Sequence, residues 1–335
     1  MSSSSNHAVS TQYGLQNIRP ENLKQILCQG HVVFTVGSAG AEMGMHTGIV
    51  QGVSASLHLL VANRHLSKHV ELRDVEEDIF LRFCQFCYTG TYEGFALYDA
   101  SAAEQLARKC AEQPKVSGLF ANIKADQETP SPIFGLLRVG EDALKLPYSL
   151  ASFQAAATGW ADPNAWCSFC KQNIEAVRVP SKRRLCSCGL KRASYNKLEA
   201  ISSFIGSYKN SVEPVPQVQQ ESLVVRYALI GHARVWNFAQ QYGIPPLMKL
   251  ACKNMVHELT YLTISALTFM TIVKDLIHYV YGCDTTEGHS VRQLLAQFAA
   301  CVADDVIAFI GWAELLERVP AFARDYAYEV TRRLA

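Results

Sequence analysis

The stretch VELRDVEEDIFLRFCQFCYTGTYEG, residues 70–94, decides the fold of the N-terminal part of the chain. Val70 and Leu72 alternate with charged neighbours, and this period of two predicts a half-buried strand. Asp74 is a suitable N-cap residue for a following helix. The acidic residues in the first turn of that helix are stabilised by the positive end of the helix dipole. Gly90 is expected to end that helix. Its apolar residues recur at helical spacing as Ile79, Phe80, Phe83, Cys84, Cys87 and Tyr88.

The residues before this stretch predict further strands and helices. Strands are expected at 32–36 and 43–46, with a glycine-rich turn between them, and the third strand spans 70–74. The third strand leads into a helix at 76–89. A pair of short helices is expected over His46–Asn63. The apolar stripe of that pair is Ile49, Val50, Val53, Leu57, Leu60 and Val61.

Helical periodicity returns over Leu223–Leu259. Gly243 and the pair Pro245 and Pro246 interrupt the pattern, so two successive helices are expected there. The first helix carries Val225, Leu229, Val235, Phe238 and Ala239 on one face, and the second carries Leu247, Leu250, Ala251, Met255 and Leu259.

These blocks resemble the BTB/POZ domain, and the layout of the chain is similar to a large fungal group of BTB proteins. In the opening stretch the matching positions are Leu72, Asp74, Val75, Phe80, Tyr88, Thr89, Gly90 and Tyr92. Before it they are His46, Val50, Ser54 and Leu57. In the later helices they are His232, Ala233, Val235, Trp236, Ala239, Tyr242, Ile244, Leu247, Leu250 and Ala251. The resemblance covers roughly residues 20–96 and 223–262.

We expect an α+β protein in which a small sheet is flanked by helices. The resemblance implies a BTB/POZ fold whose first part is 20–98 and whose closing helices are 223–262, with a long insertion at 99–222 between them. A disordered tail at 1–19 precedes the domain. An all-helical region at 263–335 follows it. The buried stripe expected in that region is Leu294, Leu295, Phe298, Val302, Val306 and Phe309.

His46 has a particular place in the resemblance. The family commonly pairs a buried histidine at this position with an aspartate just before the first strand, and here His31 occupies the aspartate position. Two histidines cannot form a charge-assisted pair, so at least one ring is expected to stay neutral. Thr47 also replaces a lysine that is common in the family. These departures leave open whether the family's charged partner groove is retained.

Composition places the chain among ordinary globular proteins. It has 335 residues, 49% hydrophobic residues and a formal net charge of +1, which favours neither nucleic acid nor basic ligands globally. The polar start MSSSSNHAVSTQ lacks the features of a signal peptide. The apolar run Tyr261–Val273 is too short to cross a bilayer and predicts a buried helix. We therefore expect an intracellular protein, nuclear or cytoplasmic, with no membrane contact.

Four cysteines in the predicted insertion have the spacing of a zinc site. Cys167 and Cys170 form one pair, and Cys186 and Cys188 form a second pair after fifteen intervening residues. Four thiolates at this separation can close a tetrahedral Zn²⁺ site, although the second pair is one residue shorter than the usual knuckle. The alternative is that these residues are scattered thiols. Cys84 and Cys87 have similar spacing, but they lie on an apolar helical face and are expected to pack in the core.

Basic residues surround the second cysteine pair. Between Lys171 and Glu199 there are eight Lys and Arg residues and two Glu residues. Such a run can bind nucleic acid or act as a nuclear localisation signal, and it can equally be a solvated face. The basic residues nearest the pair are Lys182, Arg183, Arg184, Lys191 and Arg192.

We predict an interaction protein and no enzyme, because the sequence contains no catalytic constellation. The resemblance implies a scaffold or adaptor that binds protein partners and forms a homodimer. One implied role is substrate adaptor for a cullin-type ubiquitin ligase, and another is a homodimeric or chromatin-associated factor. The alternative is a zinc-dependent nucleic-acid-binding factor that uses the cysteine-containing insertion.

A zinc measurement distinguishes these alternatives. If the cysteines form a knuckle, purified protein should carry one Zn²⁺ per chain, and the double variant Cys167→Ser/Cys170→Ser should lose it, because a structural zinc site needs its full ligand set. Elemental analysis checks this prediction. Zinc-free wild-type protein would leave the four cysteines as ordinary thiols.

Overall fold

In the computed structural model the chain divides into two compact units, neither continuous in sequence. Unit 1 comprises Met1–Phe95 and Gly231–Asn254, and unit 2 comprises Ala96–Ile230 and Met255–Ala335. The structure describes residues 23–24, 26, 28–62, 69–95, 148–158, 190–207, 222–282 and 289–334. The tail predicted at 1–19 lies outside these residues, as does most of the predicted insertion. The α+β class is confirmed, because a small N-terminal sheet with helices precedes a mostly helical C-terminal region.

Unit 1 is built on a three-stranded mixed sheet with the order β2-β1-β3. Strand β1 (His31–Val36) pairs antiparallel with β2 (Ala41–His46) and parallel with β3 (His69–Leu72). Gly37 and Gly40 in the β1–β2 turn both have a φ of 71°, which glycine adopts without the steric cost of a side chain. All three predicted strands are present. The buried side chains of β1 alternate as Val32, Phe34 and Val36.

Two short helices follow β2, as the sequence predicts. They are α1 (Thr47–Val53) and α2 (Ala55–Ala62), and the buried Ser54 separates them. The Ser54 hydroxyl donates to the carbonyl of Tyr242 at 2.6 Å and accepts the backbone N–H of Leu57 at 3.1 Å. One side chain therefore caps α2 and ties it to a segment distant in sequence.

Helix α3 (Glu77–Thr89) follows β3 and supplies much of the core of unit 1. The prediction that Asp74 caps this helix is wrong, because the chain makes a further tight turn after β3 and the N-cap residue is Glu76. Glu76 makes no capping hydrogen bond through its side chain. Gly90 ends the helix in the left-handed conformation, as predicted, and donates its N–H to the carbonyl of Phe86 at 2.8 Å.

The later helices return to unit 1 and complete its core. They are α6 (Ser222–Gln241) and α7 (Pro245–Tyr261), which confirms the two successive helices expected from the sequence. The ring of Phe238 lies 5.2 Å from that of Phe83 and 6.2 Å from that of Phe80. Residues far apart in sequence thus share one aromatic core.

The described part of unit 2 is mostly helical. Helix α10 lies at its centre and packs against α5 and α13. The predicted apolar stripe from Leu294 to Phe309 is buried, which confirms that expectation. The elements of unit 2, besides parts of α6 and α7, are α4 (Leu150–Thr158), α5 (Leu190–Gly206), α8 (Ala266–Thr268), a π-helix (Phe269–Val273), α9 (Lys274–Gly282), α10 (His289–Cys301), α11 (Ala303–Val306), α12 (Trp312–Arg318) and α13 (Pro320–Leu334).

The apolar run Tyr261–Val273 is not one helix, contrary to the sequence expectation. Tyr261 ends α7, and Ile264 forms an isolated antiparallel bridge with Tyr148. Ser265 then caps α8 through a reciprocal hydrogen-bonded box with Thr268, and this local pairing starts a new helix. No helix among the described residues is long and apolar enough to cross a membrane.

The Ser54 contact generates a stability prediction. Ser54→Ala removes the α2 cap and leaves the buried Tyr242 carbonyl without its donor, so unfolding should become easier by about 1–3 kcal/mol. Urea unfolding followed by circular dichroism measures the change. Ser56→Ala, at an exposed position in the same helix, is the matched control. Equal stability of the two variants would contradict the assigned role of Ser54.

Candidate functional site

The predicted zinc ligands lie outside the described residues. This holds for Cys167, Cys170, Cys186 and Cys188, so the zinc site stays a prediction. Among the residues that the structure describes, no group of three or more His, Cys, Asp or Glu side chains is placed to hold a metal ion. Cys28 is exposed and free, so Cys28→Ser is a matched control for the zinc measurement.

Most of the predicted basic run also lies outside the described residues. Lys182, Arg183 and Arg184 fall there, whereas Lys191 and Arg192 belong to the first turn of α5. The nucleic-acid alternative therefore stays a prediction as well.

The pair Cys84 and Cys87 lies on α3 as expected. Cys87 is buried and Cys84 is half-buried. Burial raises the pKa of Cys84 to about 12 and also raises the pKa of Cys87. Both side chains are therefore thiols near neutral pH, and thiols are poor metal ligands and poor nucleophiles. This agrees with a packing role.

A cluster of two histidines and a tyrosine lies at the end of the β1–β2 hairpin that is remote from its turn. His31 and His46 stand directly opposite each other in the antiparallel register, with ring centroids 4.2 Å apart. The Tyr88 hydroxyl, from the last turn of α3, lies 3.0 Å from Nδ1 of His46 and accepts the backbone N–H of His46 at 3.3 Å. We call these three residues the histidine corner.

The histidine corner favours a neutral His46. Burial lowers the pKa of His46 below its usual 6.5, and the facing His31 lowers it further. Burial also raises the pKa of Tyr88, so its hydroxyl keeps its proton. The His–His pairing was expected from the sequence. The third member, Tyr88, was missed as a partner, because only the tertiary fold places the end of α3 beside β2.

A second polar cluster lies in unit 1 beside Phe95, the last residue of the first segment of this unit. The Tyr92 hydroxyl lies 2.9 Å from Nδ1 of His232, and the Phe95 ring lies 5.1 Å from the His232 ring. The guanidinium of Arg82 sits over the Phe95 ring at 3.8 Å. A Cβ at Gly231 would come within 2.5 Å of the same ring, so glycine is required there. These contacts hold residues 92–95 on α6.

Large apolar side chains are exposed on unit 1. Leu59 and Leu60 of α2 are 59% and 40% exposed, and Leu81 of α3 is 55% exposed. Of the apolar residues that the sequence predicts for α2, Leu57 is buried, whereas Leu60 is exposed. Exposed leucines of this kind are candidates for protein contacts.

Unit 2 contains a buried ion cluster that the sequence did not reveal. Nζ of Lys197 lies 2.7 Å from an Oδ of Asp305, which also accepts the Tyr148 hydroxyl at 2.5 Å. The same Nζ lies 5.0 Å from the ring centres of Tyr148 and Phe153. Burial and the neighbouring carboxylate raise the pKa of Tyr148, so it remains a donor. A carboxylate, a hydroxyl and two rings thus surround the ammonium group.

The geometry of the ion cluster indicates a structural role, that of a clamp between distant parts of unit 2. It joins Tyr148, two residues before α4, to α5 and α11, elements that are remote in sequence. The available sequence signal was weak: Lys197 shares the apolar stripe of α5 with Ile201 and Phe204, which is an unusual place for an unpaired lysine.

Comparisons with protein-family models, with curated proteins and with solved structures found no match for this chain.

The ion cluster generates a stability prediction. Asp305→Asn leaves the buried Lys197 ammonium without its carboxylate, and unfolding should become easier by about 3 kcal/mol. The double variant Lys197→Met/Asp305→Asn should recover part of this loss, because neither charge then remains buried. Urea unfolding measures both variants.

Glu314→Gln is the control for the ion cluster, since Glu314 pairs with Arg318 on the surface of the same unit. Its cost should stay within about 0.5 kcal/mol. A loss in Asp305→Asn no larger than in this control would contradict the clamp.

Proposed function

We propose that this chain is a protein–protein interaction scaffold or adaptor, and that unit 1 is a self-associating BTB/POZ-like domain. The proposal includes no catalytic step. Its main support is that the two sequence blocks carrying the BTB/POZ resemblance, although separated by more than a hundred residues, contribute to one compact unit.

The contacts between these blocks support the proposal in detail. Phe238 of the later block packs on Phe83 of the earlier one, and Ser54 donates to the Tyr242 carbonyl. Tyr92 bonds to His232. These are positions that match the family pattern or lie beside it. A chance resemblance would not require matched positions from both blocks to meet in one core.

The matched positions also have defined structural roles. Leu72 and Phe80 are buried, and Gly90 supplies the left-handed end of α3. Tyr88 and Tyr92 each bond to a histidine through the hydroxyl. The matched residues thus stabilise the fold of unit 1. Such a motif is compatible with a domain that binds partners through its surface.

The exposed leucines of unit 1 support self-association. Leu59, Leu60 and Leu81 lie on helices rather than on loops, and rigid elements lose little entropy when they form an interface. Covering them with a second copy would remove apolar side chains from water. A cullin-type ligase scaffold and a chromatin-associated assembly are the two settings that the resemblance implies for such a dimer.

Light scattering of the full chain tests self-association. Wild-type protein should show twice the 37.1 kDa chain mass. Leu59→Glu/Leu81→Glu should shift the mass towards one chain, with dimerisation weakened at least about tenfold, because each substitution places a charge in an apolar interface. Circular dichroism verifies that the variant is folded.

Leu267→Glu is the matched control, because Leu267 is 73% exposed but belongs to unit 2. It should retain the wild-type mass. A wild-type protein that remains at the mass of one chain at every concentration tested would refute self-association. A dimer lost equally in the control would place the interface elsewhere than unit 1.

A further inference from the structure

The histidine corner brings two basic rings together, and within the described part of the chain no acid is paired with either ring. His31 and His46 face each other across the hairpin at 4.2 Å between ring centroids. His31 is exposed and His46 is half-buried. When both rings are protonated, two like charges lie at contact distance, and the half-buried His46 lacks full solvation. Protonation of both rings is therefore disfavoured in the folded state.

The hydrogen bond between Tyr88 and His46 also depends on the charge of His46. Its hydroxyl oxygen accepts the backbone N–H of His46, and its proton is then available for Nδ1 of the same histidine. A neutral His46 with the proton on Nε2 accepts that hydrogen bond. A protonated His46 presents an N–H at Nδ1 instead, and the hydroxyl oxygen must then accept this N–H as well as the backbone N–H of His46. Protonation of His46 therefore reverses its hydrogen bond with Tyr88, and it also sets the charge of His46 against His31.

The surrounding groups do not offset the charge. Among the described residues, burial and His31 are the influences that shift the pKa of His46, and both lower it. Glu42 on β2 is paired in register with Thr35, towards the opposite end of the hairpin. The ionisable groups on the neighbouring elements are Lys24 and Cys28 before β1, Glu42 on β2, His69 and Glu71 on β3, and Glu77, Asp78, Arg82, Cys84, Cys87 and Tyr88 on α3. Helix α1 carries no charged residue.

We propose that the histidine corner is a pH-sensitive joint, in which protonation of both histidine rings sets two like charges against each other and loosens unit 1 in mildly acidic solution. This inference goes beyond the proposed scaffold function and does not rest on self-association. It gives the unit a response in the pH range where histidine changes charge.

The direction of the response follows from the lowered pKa of His46. Because the folded state holds this pKa below 6.5, the stability contributed by neutral His46 is present above pH 6.5 and is lost as the pH falls through the folded value. A carboxylate in place of His31 would reverse the sign. It would raise the pKa of His46, so the contributed stability would be present below pH 6.5 and lost as the pH rises through the folded value.

The test uses the full chain with ¹³C-labelled histidine, and His46→Gln identifies the His46 resonance. In wild-type protein the His46 ring should titrate below pH 6.5. In His31→Asp it should titrate above this value, and in His31→Asn between the other two. The same proteins are compared by thermal unfolding between about pH 7.5 and pH 5.5. Relative to His31→Asn, wild type should lose stability on acidification and His31→Asp should gain it.

His69→Asn is the matched control, since it removes an exposed histidine on the other neighbour of β1. It should keep the wild-type titration and pH profile. The joint would be refuted if His46 titrated at or above pH 6.5 in wild type, or if His31→Asp kept the wild-type profile. Position 31 is exposed, so these variants should fold, and circular dichroism at neutral pH verifies this. The ring titration is independent of dimer mass, so failure of this inference is separable from failure of self-association.

Discussion

The fold of unit 1 depends on the burial of α6 against α3. Phe238 fills a space beside Phe80 and Phe83, and burial of such rings is worth several kcal/mol of hydrophobic free energy in total, at about 1.5–3 kcal/mol for each side chain. Without this contact, α3 would expose its aromatic face, and a three-stranded sheet alone would be too small to cover it. The hydrogen bond from Ser54 to the chain after α6 adds a polar tie at the same junction. The sheet, α2 and α3 are therefore held by residues that arrive much later in the chain.

The same constraint explains how unit 1 accommodates a long excursion of the chain. Phe95 is the last residue before the chain leaves the unit, and its ring packs directly on Gly231, where the chain returns. Because the exit and the return are adjacent, the intervening residues can vary in length at little cost in loop-closure entropy. Arg82 and His232 also pack against the Phe95 ring. Such a junction lets the unit carry additional sequence without losing its own core.

Buried polar groups have different roles in the two units. In unit 2, Lys197 is neutralised by Asp305 and covered by two rings, so the cluster is a stable clamp while the carboxylate is charged. In unit 1, His46 faces another base rather than an acid, so protonation of its ring is disfavoured. The difference is one of pairing, since a buried charge is acceptable when its partner has the opposite sign. The presence of a histidine at position 31 thus has a physical consequence, and it is local to one corner of the sheet.

The sequence by itself determined the three strands, the paired helices after β2, the Gly90 end of α3 and the helices around Gly243, because local periodicity and turn residues encode these elements. The resemblance stated from the sequence also placed His31 opposite His46. The expectations failed for the Asp74 cap and for the run at 261–273, where local turns and neighbouring elements override the pattern. Only the tertiary structure decided that Tyr88 completes the histidine corner and that Tyr148, Lys197 and Asp305 meet. The physical reason is that contacts between distant residues follow from the burial of whole helix faces, which local sequence patterns do not specify.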